Sequence, residues 1–262
     1  MRNLLLAISF DGSRYHGFQV QQNALSVCEV FQDAVEATLG RRWDVKGCSR
    51  TDAGVHANDY CISMKLDHTI PCEGFLRALN VALPYDIAVK DVREVTETFH
   101  ARYSCVGKRY LYRIHNSSTK DPFRPSQVYR YHRYIDAELL NVQAYDFTGR
   151  HDFSAFSAAR DIDAVRQINS FSVTRKGDEI LFAVEGDGFL YHMVRIMVGT
   201  LLWINEGRLP PGCVPDILVS QNRGNAGKTA PASGLYLDKV YYHLSGREPP
   251  DDRLKDRDGV IP

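Results

Sequence analysis

The sequence predicts an α+β protein, and three of its general properties support this. The 262 residues are 44% hydrophobic and 24% charged, which is typical of globular domains. Short apolar runs of strand type are mixed with a few segments of helical spacing, and no internal sequence repeat is present. The chain is long for one compact domain, so we expect one large domain or two smaller fused ones.

The first half of the chain begins with a strand and a capped helix. Residues 4–10 are nearly all apolar, which predicts a buried strand. Ser26 is followed by Glu29 three residues later, which is a capping box for a helix that ends at Gly40. Further strands are predicted through Val45 and over 60–66, 87–95 and 106–114, and a second helix over 73–83, before Pro84.

The second half repeats this mixture more loosely. Two strands flank Lys176-Gly177-Asp178, which predicts a hairpin. The last residues, from about 248 onward, are polar and begin with prolines, so we expect a flexible tail. The predicted strands cover 128–131, 168–175, 180–186 and 235–242, and the predicted helices cover 136–146, 190–206 and 215–220.

Charge, cysteine usage and hydropathy limit the class of protein. The net charge is zero and the pI is about 7.1, which taken alone is weak evidence against a nucleic-acid partner. The six cysteines show neither a CxxC pair nor zinc-ligand spacing, so we expect reduced thiols. The most apolar run, 193–204, contains Arg195 and is too short to span a bilayer. We therefore expect a soluble, cytoplasmic protein.

One segment, residues 47–57, has the composition of a site and is called the signature segment below. If its centre is extended, the side chains of Arg50 and Asp52 point to the same side, because side chains alternate along a strand. Ala53 and Gly54 leave room for a bulky group beside the carboxylate. The alternatives are a turn aspartate that bonds its own backbone and a solvated ion pair.

A second segment, 108–133, carries seven Lys or Arg residues against one acid, Asp121, with five aromatic residues between them. Cations neutralise phosphates and aromatic rings stack on unpaired bases, so this composition predicts a surface that faces RNA. The alternative is a solvated basic strand whose tyrosines pack in the core. We favour that alternative for Tyr112 and Tyr129.

Arg195 lies in a predicted helix whose neighbouring side chains are mostly apolar, with Gly199 allowing a close neighbour. An arginine cannot lose its proton in a protein, so in a buried position it needs a carboxylate partner. Asp52 is the natural candidate. The alternatives are an arginine that extends to solvent and, for His192 beside it, a structural role.

Five motifs together resemble, in the same order, those of the TruA family of tRNA pseudouridine synthases. Residues 49–57 match GRTDAGVHA except that Ser49 replaces the first glycine. Four further motifs lie at 10–19 (FDGSRYHGFQ), 99–112 (FHAR, then KRYLY), 188–195 (GFLYHMVR) and 234–237 (GLYL).

This resemblance implies a fold and an activity. The fold would be two fused α+β halves that share a mainly antiparallel central sheet, with helices on one side and the active-site cleft between the halves. The halves would cover 1–114 and 115–246, with a tail over 247–262. The implied activity is isomerisation of uridine to pseudouridine at roughly positions 38 to 40 of the tRNA anticodon stem-loop. A homodimer without metal or cofactor is also implied.

The resemblance also assigns roles to single residues. Asp52, Tyr110 and Arg195 would be catalytic. Asp52 would act as a nucleophile, or as the base that starts glycal formation, because the reaction needs no redox change. Arg195 would keep Asp52 ionised. Tyr110 would stack on the uracil and later supply a base through its hydroxyl. The implied substrate-binding residues are Arg50, Arg102, Lys108, Arg109, Tyr110 and Leu235.

One departure from the family's motifs leaves the target of the reaction open. Residues 151–157 match the family's HDFTSFR except that Ser157 replaces the arginine, and the stretch after it is short. Uridines elsewhere in tRNA or in rRNA are therefore an alternative target. Three different classes of protein also stay open: a hydrolase that uses Asp52 and His56, a protein with a metal site formed by these two residues and His16, and an RNA-binding protein without activity.

Overall fold

A computed structural model describes residues 1–160 and 162–243; the predicted tail over 247–262 lies outside them. The described residues form five α-helices and ten strands. The helices are α1 (Val27–Leu39), α2 (Cys72–Ala82), α3 (Ala137–Tyr145), α4 (Met193–Asn205) and α5 (Val214–Ser220). The strands are β1 (Arg2–Phe10), β2 (Lys46–Gly47), β3 (His56–Leu66), β4 (Ile87–Val95), β5 (Cys105–His115), β6 (Tyr129–Arg130), β7 (Gly149–Asp152), β8 (Val165–Lys176), β9 (Glu179–Gly186) and β10 (Leu235–Tyr242).

All ten strands belong to one sheet, whose main order is β4-β1-β3-β10-β5-β9-β8-β7. Most neighbours are antiparallel, but β10 runs parallel to β3 through the pairs Tyr236 with His56 and Leu237 with Ala57. The last strand therefore joins the strands of the first 95 residues to the rest of the sheet. This mixed architecture with a mainly antiparallel sheet confirms the predicted α+β class. The proposed boundary between the halves, at residue 114, stays a prediction. It assigns β5 to the first half, whereas β5 pairs with β9 and β10 from the second.

Local sequence signals placed most elements correctly. The Ser26 side chain accepts a hydrogen bond from the Glu29 N–H, and Gly40 ends α1 in the left-handed region at φ 78°. Two predicted strands are shorter than expected, since only β2 and β6 form near Val45 and over 128–131. The helix predicted over 190–206 begins at Met193, because His192 has a left-handed backbone at φ 63°.

One face of the sheet is buried in the second half of the chain. Along β5, Tyr110, Tyr112 and Ile114 are buried, while the residues between them are partly exposed. The same alternation occurs along β8 and β9, as expected for strands with one covered face. Helix α3 packs on β8 and α4 packs on β5.

No helix within the described residues is both long and apolar enough to cross a membrane.

Helix α4 is crossed at close range by the segment 226–230. The Gly227 N–H donates to the Thr200 hydroxyl at 2.9 Å, and the Ala230 N–H donates to the Arg195 carbonyl at 3.0 Å. A Cβ atom at Gly199 would lie 1.7 Å from the Lys228 carbonyl oxygen. The predicted close neighbour of Gly199 is therefore backbone, and only glycine fits there.

We predict that Gly199→Ala destabilises the protein by at least about 1–3 kcal/mol, because the methyl group must displace backbone. The matched control is Gly74→Ala in α2, where the nearest atom to a new Cβ lies 3.8 Å away. This change should stabilise by about 0.5–1 kcal/mol, because alanine is the better helix former. Urea unfolding of both variants measures the difference, and equal effects would contradict the close packing.

Candidate active site

The signature segment is held by the turn that follows β1. A Cβ atom at Gly12 would lie 1.9 Å from the Val55 carbonyl oxygen, and one at Gly17 would lie 2.2 Å from that of Thr51. Gly54 has a left-handed backbone at φ 78°, and its N–H donates to the Tyr15 carbonyl at 3.1 Å. The turn after β1 and the signature segment thus pack backbone against backbone, which fixes the course of the chain on both sides of Asp52.

His56 fastens the end of the signature segment. Its Nδ1 accepts a hydrogen bond from the Gly12 N–H at 3.1 Å, so Nε2 carries the proton and donates to the Ser126 carbonyl at 3.0 Å. Burial lowers the pKa of His56 below 6.5, which keeps the ring neutral. Both nitrogens are engaged, and His56 does not line the cleft around Asp52. The structure therefore favours a structural role for His56 over the hydrolase alternative.

Asp52 and Arg195 form the ion pair that the sequence predicted. Arg195 Nη1 donates to Asp52 Oδ2 at 2.8 Å, and Arg195 Nε donates to the Ala230 carbonyl at 2.7 Å. The side chains are 21% and 14% exposed, so the pair is mostly shielded from solvent but open on one side. This contact connects the signature segment to helix α4, which lies 143 residues further along the chain.

A cleft of about 1150 Å³ opens in front of this pair. It brings together seven of the residues that the sequence singled out: Asp52, Tyr110, Arg195, Arg50, Arg102, Lys108 and Leu235. Cationic side chains, an aromatic ring and a carboxylate thus share one cavity. Such a cavity has groups suited to hold both a planar base and its phosphates.

Tyr110 forms part of the apolar wall of the cleft. Its ring is 7% exposed and meets Phe189 edge to face, with the ring centroids 5.0 Å apart. Burial raises the pKa of the phenol, so its hydroxyl keeps its proton. Phe189 belongs to the GFLYHMVR motif, but the sequence did not mark it as a site residue. The alternation along β5 carries no information about this partner, because Phe189 lies outside that strand.

Arg109 does not line the cleft, so its predicted role in substrate binding has no support from the geometry. It precedes Tyr110 on β5, and neighbouring side chains on a strand point to opposite faces. Arg109 Nε donates to Asp238 Oδ2 at 2.6 Å, and Asn58 donates to the second carboxylate oxygen at 2.8 Å. Its charge is therefore matched on the opposite face of the sheet.

Four of the seven cations in the basic segment 108–133 lie against carboxylates, one of which, Asp121, belongs to the segment itself. Arg113 and Arg124 both lie against Glu179, and Arg133 lies 3.7 Å from Glu206. The segment thus does not form one continuous free basic surface.

The core position favoured for Tyr112 is confirmed, since it is fully buried and donates to the Pro231 carbonyl at 2.7 Å. Tyr129 packs partly buried against the core, as expected.

The metal-site alternative has no geometric support. His16 and Asp52 line the cleft, but His56 is turned away from it. Across the part of the chain that the structure describes, no three His, Cys, Asp or Glu side chains are grouped as metal ligands.

His192, which the sequence treated as structural, instead lies beside Asp52, with Nε2 3.3 Å from Oδ2.

Sequence comparison decides the family. The sequence model of the tRNA pseudouridine synthases matches residues 6–104 and 143–243. The chain belongs to this family. The matched ranges include Asp52 and Arg195, while Tyr110 lies between them.

Relatives of this synthase extend the match over most of the chain. The tRNA pseudouridine synthase A of Acetivibrio thermocellus is 43% identical over 244 residues, covering 92% of this chain and 100% of the relative. That of Ruminiclostridium cellulolyticum is 42% identical over 245 residues, with the same coverage. Among solved structures, an archaeal box H/ACA sRNP Nop10–Cbf5 complex covers 76% of this chain and 43% of its own, with TM-score 0.37 and 11% identity. A likeness that distant supports no conclusion about this chain.

The Asp52–Arg195 contact predicts non-additive stability losses. Asp52→Asn or Arg195→Met alone leaves a charge without its partner, a class of change that costs up to about 3–5 kcal/mol in a buried pair. The double variant should lose less than the two single losses combined, by at least about 1 kcal/mol. The bond from Arg195 to Ala230 is lost in both Arg195 variants, so it cancels in the cycle.

Chemical unfolding of all four proteins of this cycle measures the coupling. A matched pair for comparison is Arg109→Met with Asp238→Asn, which carries a similar contact outside the cleft. Strictly additive losses for Asp52 and Arg195 would mean that the two side chains do not interact in solution.

Proposed function

We propose that this chain isomerises uridine to pseudouridine in the anticodon stem-loop of tRNA, at roughly positions 38 to 40, with Asp52 as the essential group. The observation that carries the proposal is the Asp52 carboxylate, which Arg195 holds at 2.8 Å on the wall of a cleft that also contains Tyr110. Membership of the synthase family and the names of the relatives support the reaction and the substrate.

The reaction needs few chemical groups. The N1–C1′ bond breaks, the uracil rotates, C5 joins C1′, and a proton moves from C5 to N1 overall. Neither an electron donor nor an energy source takes part. A fixed carboxylate can begin this sequence, either as nucleophile or as base. In the resting protein Arg195 binds one oxygen of the Asp52 carboxylate at 2.8 Å, which holds the carboxylate at the wall of the cleft.

The uracil must leave the base stack to reach Asp52. Extrusion costs a few kcal/mol, and stacking on an aromatic side chain returns about 1–3 kcal/mol per base. Tyr110, supported by Phe189, is the ring placed for this contact. Because burial raises the pKa of the Tyr110 hydroxyl, its main contribution is stacking and donation of a hydrogen bond, rather than service as a base in the resting protein.

Three cations on the cleft wall are placed to bind phosphates. Arg50 is exposed, and Arg102 lines the same cavity. Among the described residues, Lys108 Nζ makes only a long contact of 3.4 Å to the Ser49 hydroxyl. Cations without a carboxylate partner retain their full charge for a polyanion. These three residues, rather than the whole of 108–133, form the proposed phosphate contacts.

The loop after β7 favours a second candidate target. The Ser157 side chain is 4% exposed, and it accepts a hydrogen bond from the Ala159 N–H at 3.0 Å. It is therefore used within its own turn, and Ala159 is the residue of this loop that lines the cleft. Position 157 therefore contributes no arginine to the cleft wall, and tRNA uridines outside the anticodon stem-loop are the second candidate.

Assembly, location and internal division are further parts of the proposal. Family membership supports a homodimer, which sedimentation velocity would measure. The six cysteines are unpaired thiols, which supports a cytoplasmic location, where thiols stay reduced. The position of β10 between β3 and β5 supports two halves that meet at the cleft, although β5 belongs with the second group of strands.

We predict that Asp52→Asn lowers isomerisation by at least about 1000-fold, as removal of an essential catalytic group does. The substitution keeps the size of the side chain, so circular dichroism and tRNA affinity should stay close to those of the original protein. Tritium release from tRNA transcripts labelled at uridine C5, each with a single uridine left in the anticodon arm or elsewhere, measures activity and position together.

Each outcome of this experiment decides one alternative. Retention of one-tenth of the activity would remove Asp52 from its role. Release only from uridines outside the anticodon arm would establish the second candidate. Binding without any release by the unaltered chain would identify an RNA-binding relative without activity.

A neighbouring pair on β5 tests the phosphate contacts. Lys108→Gln should weaken tRNA binding and lower the slope of log affinity against log salt by about one, because one phosphate contact is lost. Arg109→Gln is the matched control, since Arg109 faces the opposite side and binds Asp238. Filter binding at several salt concentrations measures both slopes. An equal effect of the two variants would contradict the assignment of faces.

A further inference from the structure

We propose that Tyr103 binds a second nucleotide of the RNA, next to the target uridine, by stacking its ring on an unpaired base. The proposal deepens the proposed function and rests on RNA being the substrate of the cleft. It is carried by the turn that displays Tyr103, by the exposure of its ring and by its contact with Arg102, which lines the cleft.

The turn over 100–104 is fastened to the sheet at Ala101. The N–H of this fully buried residue donates to the Ser63 hydroxyl at 2.9 Å, and its carbonyl accepts from the Tyr242 hydroxyl at 2.6 Å. Ser63 lies on β3 and Tyr242 lies on β10. Two strands therefore fix the base of the turn, from which the next two residues extend into solvent.

The side chain of His100 shapes the outer part of this turn. Its Nδ1 accepts hydrogen bonds from the N–H groups of Arg102 at 3.1 Å and Tyr103 at 3.4 Å. The His100 N–H in turn donates to the Ser104 hydroxyl at 3.1 Å. The His100 ring also packs against the Tyr103 ring, with the centroids 4.4 Å apart. One side chain thus orders the backbone at Tyr103 and supports its ring, which lowers the cost of ordering that ring on binding.

Although it is supported on one side, Tyr103 is 78% exposed. Single exposed aromatic residues are common on protein surfaces, so the neighbours decide what this exposure means. The Arg102 guanidinium carbon lies 5.9 Å from the centroid of the Tyr103 ring, and Arg102 lines the same cleft as Asp52. The Tyr103 ring therefore lies at the rim of the cleft, beside a cation that is placed to bind phosphate.

The charges around Tyr103 favour a nucleic acid as its partner. No acidic residue occurs between Glu97 and Asp121, and Lys108 joins Arg102 on the cleft wall. Single strands are bound by cations that follow the backbone and by aromatic rings that stack on successive bases. Extrusion of the target uracil deprives the neighbouring base of a stacking partner. The ring of Tyr103 is placed to replace that partner.

Three substitutions at Tyr103 separate stacking from other contacts. Tyr103→Phe keeps the ring, so tRNA affinity should stay within about twofold of the original value. Tyr103→Leu keeps apolar bulk without a ring, and Tyr103→Ala removes both. Each of these two should weaken tRNA binding by about five- to 100-fold, as loss of one stack between a base and an aromatic ring implies. Because the ring is exposed, thermal unfolding should change little.

Tyr134→Ala is the matched control for these variants. Tyr134 is 75% exposed, and the Arg175 guanidinium carbon lies 5.1 Å from its ring centroid, but neither residue lines the cleft. Filter binding of a tRNA transcript should give the same affinity for Tyr134→Ala as for the original chain. Equal losses in Tyr134→Ala and Tyr103→Ala, or full affinity of the Leu and Ala variants of Tyr103, would overturn the proposal.

A series of tRNAs that each lack one base identifies the contact without reference to activity. Full-length tRNAs are assembled by ligation, each with an abasic nucleotide at one position beside the target uridine. At the contacted position the missing base should weaken binding to the original chain, and Tyr103→Ala should then cost nothing further, because the stack is already lost. Additive losses at every position would overturn the proposal.

The binding series and the isomerisation assay fail independently. If the missing base and Tyr103→Ala are coupled but the original chain releases no tritium from tRNA, the proposed function is wrong and the stacking contact stands. If the original chain is active and no position shows coupling, the assignment of Tyr103 alone is wrong.

Discussion

The ion pair between Asp52 and Arg195 is the interaction on which the site depends. It joins a loop from the first part of the chain to a helix from the last part, at 2.8 Å. An arginine on the mostly buried helix α4 is stable there because the carboxylate neutralises it. The carboxylate in turn is held in place because the arginine is fixed, since Arg195 also binds the Ala230 carbonyl. Fold and chemistry thus require the same contact.

Backbone packing gives this pair its precision. On the side of Asp52, Gly12 and Gly17 allow the turn after β1 to lie directly on the signature segment. On the side of Arg195, Gly199 allows the segment 226–230 to lie directly on α4. Backbone contacts of this kind do not relax as side-chain contacts do, so a site built on them is held within a narrow range of geometry. Strand β10 completes the frame by linking both parts in one sheet.

Much of the fold and part of the site follow from sequence alone, and the failures have physical reasons. Capping signals placed α1, and the charge of Arg195 within an apolar helix predicted its partner, because both are local rules. Motif matching grouped Arg109 with the cleft residues because it took no account of strand alternation, which puts Arg109 on the face opposite Tyr110. Carboxylates such as Glu179, which pair with cations of the basic segment, come from distant parts of the chain, so the composition of the segment does not reveal them. The left-handed backbone of His192 has no signature in residue propensity.

The most direct test of the central claim is a structure of the protein bound to an anticodon stem-loop with 5-fluorouridine at the target. Fluorine replaces the proton that C5 must lose, so the complex should stall before product forms. The account predicts that the base is extruded and stacked on Tyr110. The carboxylate of Asp52 should lie on the reacting nucleotide, bonded to it or within about 3–3.5 Å of the atom it attacks. A base that stays in the stem, or a target nucleotide bound away from Asp52, would contradict it.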